Sequence, residues 1–159
     1  DAKNQNGRVY PEDILKREAN KYMDNFVKQR RAMGELDHPE SSVVNLKNVS
    51  HNIVDMGWDG KDLVGTVEIL PTPSGNILRD LLQSGILLGI SSRGLGSVKK
   101  DMRENADVVQ DDFDLVCWDF VSNPSTHGAF MNPVALQEGK VTVSKYHNLD
   151  SIINDILRA

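Results

Sequence analysis

The sequence is short of cysteine: Cys117 stands alone among 159 residues. No disulfide can therefore form within the chain, and a reducing compartment is expected. No apolar run approaches the ~20 residues that span a bilayer, and nothing resembles a signal peptide, so no membrane role is expected. Basic charge is scarce as well, with 18 Lys and Arg against 23 Asp and Glu and a net charge of −5. That balance argues against nucleic-acid binding, because phosphate contacts need a basic surface. The doublets Arg30-Arg31 and Lys99-Lys100 read as solvated edges. Gly94-Leu95-Gly96-Ser97 lacks the rest of either nucleotide fingerprint. Asp37, His38, His51, Asp55, His127 and His147 are potential metal ligands without tight ligand spacing. Neither metal nor cofactor is expected, and a metal-dependent hydrolase stands only as a rival reading. The first residue is aspartate, as in a trimmed or processed chain.

What is present fits one soluble globular domain, with 39% hydrophobic and 26% charged residues. Pro11, Glu12 and Asp13 suit the start of a helix. Ile14, Leu15, Ala19, Tyr22, Met23, Phe26 and Val27 then recur at helical spacing, predicting an amphipathic helix to about Arg31 that Gly34 stops. Residues 49–58 and 63–70 read as strands around an Asp59-Gly60-Lys61-Asp62 turn. Ser74 is expected to cap a short helix that buries Ile77, Leu78, Leu81 and Leu82 and ends at Gly85. Residues 99–112 read as an exposed, mobile connection. Phe113 to Val121 reads as a strand that Asn123-Pro124-Ser125 breaks, and Leu149 to Leu157 as a terminal amphipathic helix. No internal repeat and no second domain are apparent.

The chemistry concentrates in Gly89-Ile90-Ser91-Ser92-Arg93-Gly94-Leu95-Gly96-Ser97, which follows the apolar run Ile86-Leu87-Leu88. Such a stretch reads as a buried strand surfacing at a site, or simply as a strand ending in a glycine turn. A serine nucleophile needs a nearby base and a group to orient that base. His38 lies in Gly34-Glu35-Leu36-Asp37-His38-Pro39, where the proline keeps it extended and out of a helix. Asp119 lies among Trp118, Phe120 and Val121, where a buried carboxylate would want a partner. Strand alternation could instead turn it to solvent with Cys117 and Val121. His51 reads as a strand surface residue, and His147 lies near the start of the terminal helix.

Taken with Asn6-Gly7-Arg8-Val9-Tyr10-Pro11, these two motifs resemble the prohead core proteases of T-even-type tailed phages and, more distantly, the herpesvirus maturational proteases (assemblins). The resemblance covers residues 4–124 with the motifs in family order. It implies an α+β fold, a mostly antiparallel β-barrel surrounded by helices, in one protease domain over 1–159. Residues 125–159 would form a C-terminal tail and helix open to cleavage. It implies that His38 is the general base, that Ser91 rather than Ser92 is the nucleophile, and that Asp119 is the third member, with His51 and His127 as alternatives. Arg93 and the Gly94–Gly96 amides are candidates for oxyanion stabilisation or support. Family members that cut after glutamate, with Leu or Ile two residues earlier, point to Leu136-Gln137-Glu138-Gly139, in a linker-like stretch, as a self-cleavage site after Glu138. The implied substrates are scaffold and capsid proteins inside an assembling prohead in the host cytoplasm, with a homo-oligomer expected. The alternative is a non-catalytic assembly or scaffold module of the same fold.

Overall fold

The computed structural model describes residues 3–60, 62–126, 128–137 and 140–145. The first strand, β1 (Arg8–Val9), follows a turn at Gly7, whose φ of +76° suits glycine. Helix α1 (Glu12–Tyr22) opens behind Pro11 with two acids in its first turn. It continues as a π-helical turn, Met23–Val27. Ile14, Ala19, Tyr22 and Val27 are buried, so the periodic stripe is a core face. The helical segment ends earlier than the pattern predicted. Arg30, not Gly34, adopts positive φ, and Gly34 lies inside strand β2 (Met33–Glu35).

Strands β3 (Val49–Asp59) and β4 (Asp62–Ile69) form the expected hairpin, with Gly60 at φ +64°. Helix α2 (Pro73–Gln83) is capped by Thr72 rather than Ser74, its hydroxyl accepting from the Gly75 amide at 3.0 Å. Leu78 and Leu82 are buried, but Ile77 and Leu81 are exposed, so the apolar stripe is narrower than expected. Gly85 ends the helix at φ +78°.

Strands β5 (Leu88–Leu95), β6 (Val98–Asp101), β7 (Ala106–Val109) and β8 (Asp114–Val121) follow. The expected connection over 99–112 is thus largely a hairpin, joined to β1 in a small sheet of order β1-β7-β6. Its charged residues lie on four-residue strands, of which β6 buries no residue, and in the turns beside them, so no alternation marks the strands in the sequence. Strands β9 (Phe130–Gln137) and β10 (Lys140–Lys145) then complete a seven-stranded sheet of order β2-β3-β4-β10-β9-β5-β8, all paired antiparallel. The segment read as a linker around Leu136 is therefore strand. His127, Glu138, His147 and the expected helix over 149–157 lie outside the described residues.

The segment at and just after β2 meets β8, the strand at the other end of this sheet's order. Leu36 bridges Phe120, and the Asp37 amide donates to the Phe120 carbonyl at 2.7 Å. The contact draws the chain after β2 onto β8 and so fixes where His38 begins. Ile53, Leu63, Val67, Ile90, Trp118, Phe120 and Met131 form the core beneath. Among the described residues the architecture is α+β, mostly sheet with two α-helices. Among the described residues no helix is long and apolar enough to cross a membrane.

Candidate active site

The pairing of β5 with β8 decides which side chains share a face. Ser91 stands opposite Asp119, and Arg93 opposite Cys117. Alternation sends these four to one side and sends Ile90, Ser92 and Trp118 to the other, toward the core. Register thus separates the adjacent serines: Ser91 shares a face with the carboxylate, and Ser92 does not. Asp119 is fully buried, not turned to solvent.

A buried carboxylate needs its oxygens satisfied, and these are. Oδ1 accepts from the Glu35 amide at 3.0 Å, from Arg93 at 3.2 Å and from the Cys117 thiol at 3.4 Å. Oδ2 lies 2.9 Å from His38 Nδ1, with Arg93 Nε in ionic contact at 3.0 Å. A carboxylate can only accept, so Nδ1 carries the proton and Nε2 keeps its lone pair for use as a base. Burial by itself would raise the Asp119 pKa. The His38 hydrogen bond, the Glu35 amide and the Arg93 charge outweigh it and hold the carboxyl below its ordinary value.

Arg93 is itself buried. Its guanidinium reaches Glu35 Oε2 at 2.7 Å, the Ser41 carbonyl at 3.1 Å and Cys117 Sγ at 3.1 Å. Burial opposes its charge, but Glu35 first, then Cys117 and Asp119, outweigh it and raise its pKa. Engaged in this way, Arg93 is placed as a support for Asp119. Gly94 lies three residues along β5 from Ser91, opposite Leu115 beyond a bulge, where a Cβ would strike the Phe113 ring at 2.5 Å. Its glycine is explained by that close approach.

Ser91 is buried, with its Oγ 3.4 Å from Ser125 Oγ. Among the described residues it shares no hydrogen bond with His38, which is 39% exposed. The structure therefore joins His38 to Asp119 and sets Ser91 across from Asp119, with the serine–histidine contact still open. Catalytic hydrogen bonds are often long before substrate arrives.

His51 is not on the strand surface, as its sequence context suggested, but fully buried. Its Nε2 meets the Trp118 carbonyl at 2.8 Å and its Nδ1 meets Ser50 Oγ at 2.7 Å. The carbonyl can only accept, so Nε2 donates and Nδ1 takes the serine hydroxyl. Burial lowers its pKa to about 4, against the Trp118 carbonyl and Asp119. With both nitrogens engaged in the wall between β3 and β8, it braces the fold. Asp55 is exposed on β3, and the described residues contain no group of three His, Cys, Asp or Glu able to hold a metal.

Two participants were not singled out from the sequence. Glu35 lies inside the His38 motif with no mark of its own, and the sequence offers Ser125 only as part of a strand breaker. Glu35 in a segment short enough to be a strand was the available signal; for Ser125 there was none.

A family model described as prohead core protein serine protease matches residues 1–141. The prohead core protein protease of Enterobacteria phage T4 is 34% identical over 140 residues, covering 86% of this chain. The chain spans 66% of that relative's length. The solved structure of the bacteriophage T4 capsid assembly protease superposes with a TM-score of 0.73 at 31% identity, covering 78% of this chain and 77% of the other.

Proposed function

The chain belongs to the prohead core protein serine protease family, and from that premise we propose that it is a serine endopeptidase acting on scaffold and capsid proteins within an assembling phage head. The observation that carries the site assignment is the buried Asp119 carboxylate, bound to His38 Nδ1 at 2.9 Å and placed opposite Ser91. Ser91 Oγ attacks the substrate carbonyl while His38 Nε2 takes its proton. The proton then passes to the leaving amine, and water releases the acyl group by the same route. Asp119 holds the imidazole tautomer and stabilises the imidazolium. Arg93 keeps Asp119 ionised. Arg93 and Gly94, the candidates for oxyanion stabilisation, are otherwise engaged: Arg93 binds Glu35, Ser41 and Asp119, and Gly94 packs on Phe113.

The finer features of the reading follow the family resemblance. They are cleavage after glutamate in Leu/Ile-x-Glu sequences, self-cleavage after Glu138, a homo-oligomer inside the prohead in the host cytoplasm, and an assemblin-like barrel closed at the Leu36–Phe120 bridge. One domain would then carry the site, and cleavage after Glu138 would free the residues beyond it.

A fluorophosphonate probe tests the assignment. Labelling should fall on Ser91, vanish in Ser91→Ala, persist in Ser92→Ala, and drop about 10³-fold in His38→Ala. The Ser91–Ser125 contact favours one rival, a non-catalytic assembly module. Absence of labelling under conditions that permit assembly would select it. Loss of activity to chelators, with indifference to the probe, would instead select a metal-dependent hydrolase.

A further inference from the structure

The site contains more charge than a serine, a histidine and an aspartate require. Glu35 is 2% exposed and Arg93 8% exposed, on two different strands, and they meet at 2.7 Å beside a third buried charge, Asp119. A buried ion pair costs desolvation on both partners and is a poor source of stability. Its placement therefore calls for a reason beyond holding β2 to β5.

Charge counting supplies one. Arg93 contacts both oxygens of Asp119, at 3.2 Å on Oδ1 and 3.0 Å on Oδ2. An arginine so placed secures the carboxylate, but alone it would cancel the negative charge that a protonated His38 needs. Glu35 returns that charge. With Glu35, Arg93 and Asp119 all ionised the cluster carries −1 while His38 is neutral and 0 when His38 is protonated. Without Glu35 the same change would run from 0 to +1, which is less favourable at a cluster whose other members are buried and whose His38 imidazole is only partly open to solvent.

Glu35 touches the cluster twice. Its carboxylate holds Arg93 and accepts from the Asn45 amide at 3.3 Å, while its own amide donates to Asp119 Oδ1 at 3.0 Å. We infer that Glu35 is a positioning residue that acts through Arg93 and Asp119 to set the basicity of His38. This inference rests on the reading of His38 as the general base.

The other groups that could bias His38 do not supply the charge. Cys117 on β8 and Tyr22 on α1 are pushed up by burial, and His51 on β3 is pushed down, so all three stay neutral near pH 7. Asp37 and Glu40, on the same segment as His38, are exposed to solvent, which screens them.

The test is the titration of His38, followed by NMR of the imidazole in Ser91→Ala protein. The pH dependence of fluorophosphonate labelling is followed in parallel on protein that retains Ser91. Glu35→Gln should lower the His38 midpoint by about one pH unit, and Arg93→Gln should raise it by a similar amount. The double variant Glu35→Gln/Arg93→Gln should return it close to that of the parent. A structural role alone would lower stability in all three without this pattern of signs. If Glu35→Gln does not fold, Arg93→Gln against the double variant carries the same comparison. Coincident midpoints among the folded variants would overturn the inference. Failure of the parent protein to label, with the midpoints shifted as expected, would instead count against the catalytic reading and leave the charge relation standing.

Discussion

At the scale of single residues, the site turns on a carboxylate that sequence patterning could place on either face of its strand. Asp119→Asn keeps the shape but can present an amide to His38 and so release the wrong tautomer. Labelling of Ser91 should slow about 10³–10⁴-fold in that variant while the protein remains folded. A rate within tenfold of the parent would remove Asp119 from the triad. His51 makes a separate residue-scale prediction. The unfolded chain takes up a proton on this histidine below about pH 6.5, whereas the folded chain refuses it until about 4. Stability is thus fully present above that window and falls as pH drops through it, by up to about 3 kcal/mol. The depressed Asp119 carboxyl acts in the same sense at lower pH, since its contribution is lost as the carboxylate is protonated. Urea midpoints between pH 7 and pH 4.5 should fall steeply for the parent and more gently for His51→Gln, from a lower start. Parallel slopes would show that His51 is not the group refusing the proton.

At the scale of elements, the short strand β2 matters more than its three residues suggest. Gly34 packs so closely on β8 that a methyl group there would overlap the Trp118 carbonyl and the His51 ring. Gly34→Ala should therefore cost about 3 kcal/mol or more, read as a lowered urea midpoint. It should also slow labelling of Ser91, because His38 follows β2 by three residues. A variant as stable as the parent would mean that β2 can move away from β8 without loss. The predicted helix stop at Gly34 went astray for a related reason. A glycine needed for close approach looks the same in sequence as a glycine that ends a helix, and only the neighbouring strand distinguishes them. Residues 99–112 differ from expectation for a comparable cause: four-residue strands, one of them with no buried residue, carry too little alternation to stand out among charges.

At the scale of the whole molecule, the last described strands belong to the sheet. Strand β10 lies between β4 and β9, deep in the strand order rather than at an edge. The self-cleavage proposed after Glu138 would cut between two paired strands, and β10 could remain bound to its neighbours afterwards. Intact-mass analysis of active protein should show a break after Glu138 that is missing from Ser91→Ala, while native mass analysis keeps both pieces together. Identical intact chains in the two proteins would sink the self-cleavage idea.

The sequence by itself determined the local elements whose signals are strong: the start and inner face of α1, the β3–β4 hairpin, the end of α2 at Gly85, and the strands holding Ser91 and Asp119. It also brought forward His38, the Ser91-Ser92 pair and Asp119, because a histidine fixed by proline, a hydroxyl–glycine cluster and an acid among aromatics each stand out within a few residues, while the preference for Ser91 came from the family resemblance. Only the tertiary structure decided that Asp119 faces inward beside Ser91, that Arg93 is engaged with two carboxylates, and that Glu35 belongs to the site. Those facts depend on the β5–β8 register, which pairs Ser91 with Asp119 and brings Arg93 beside it, and on the meeting of β2 with β8, which joins Glu35 to Asp119 84 positions away. Local pattern reports which face a residue could take; pairing between distant strands settles which it takes, and burial then makes every charge on that face find a partner.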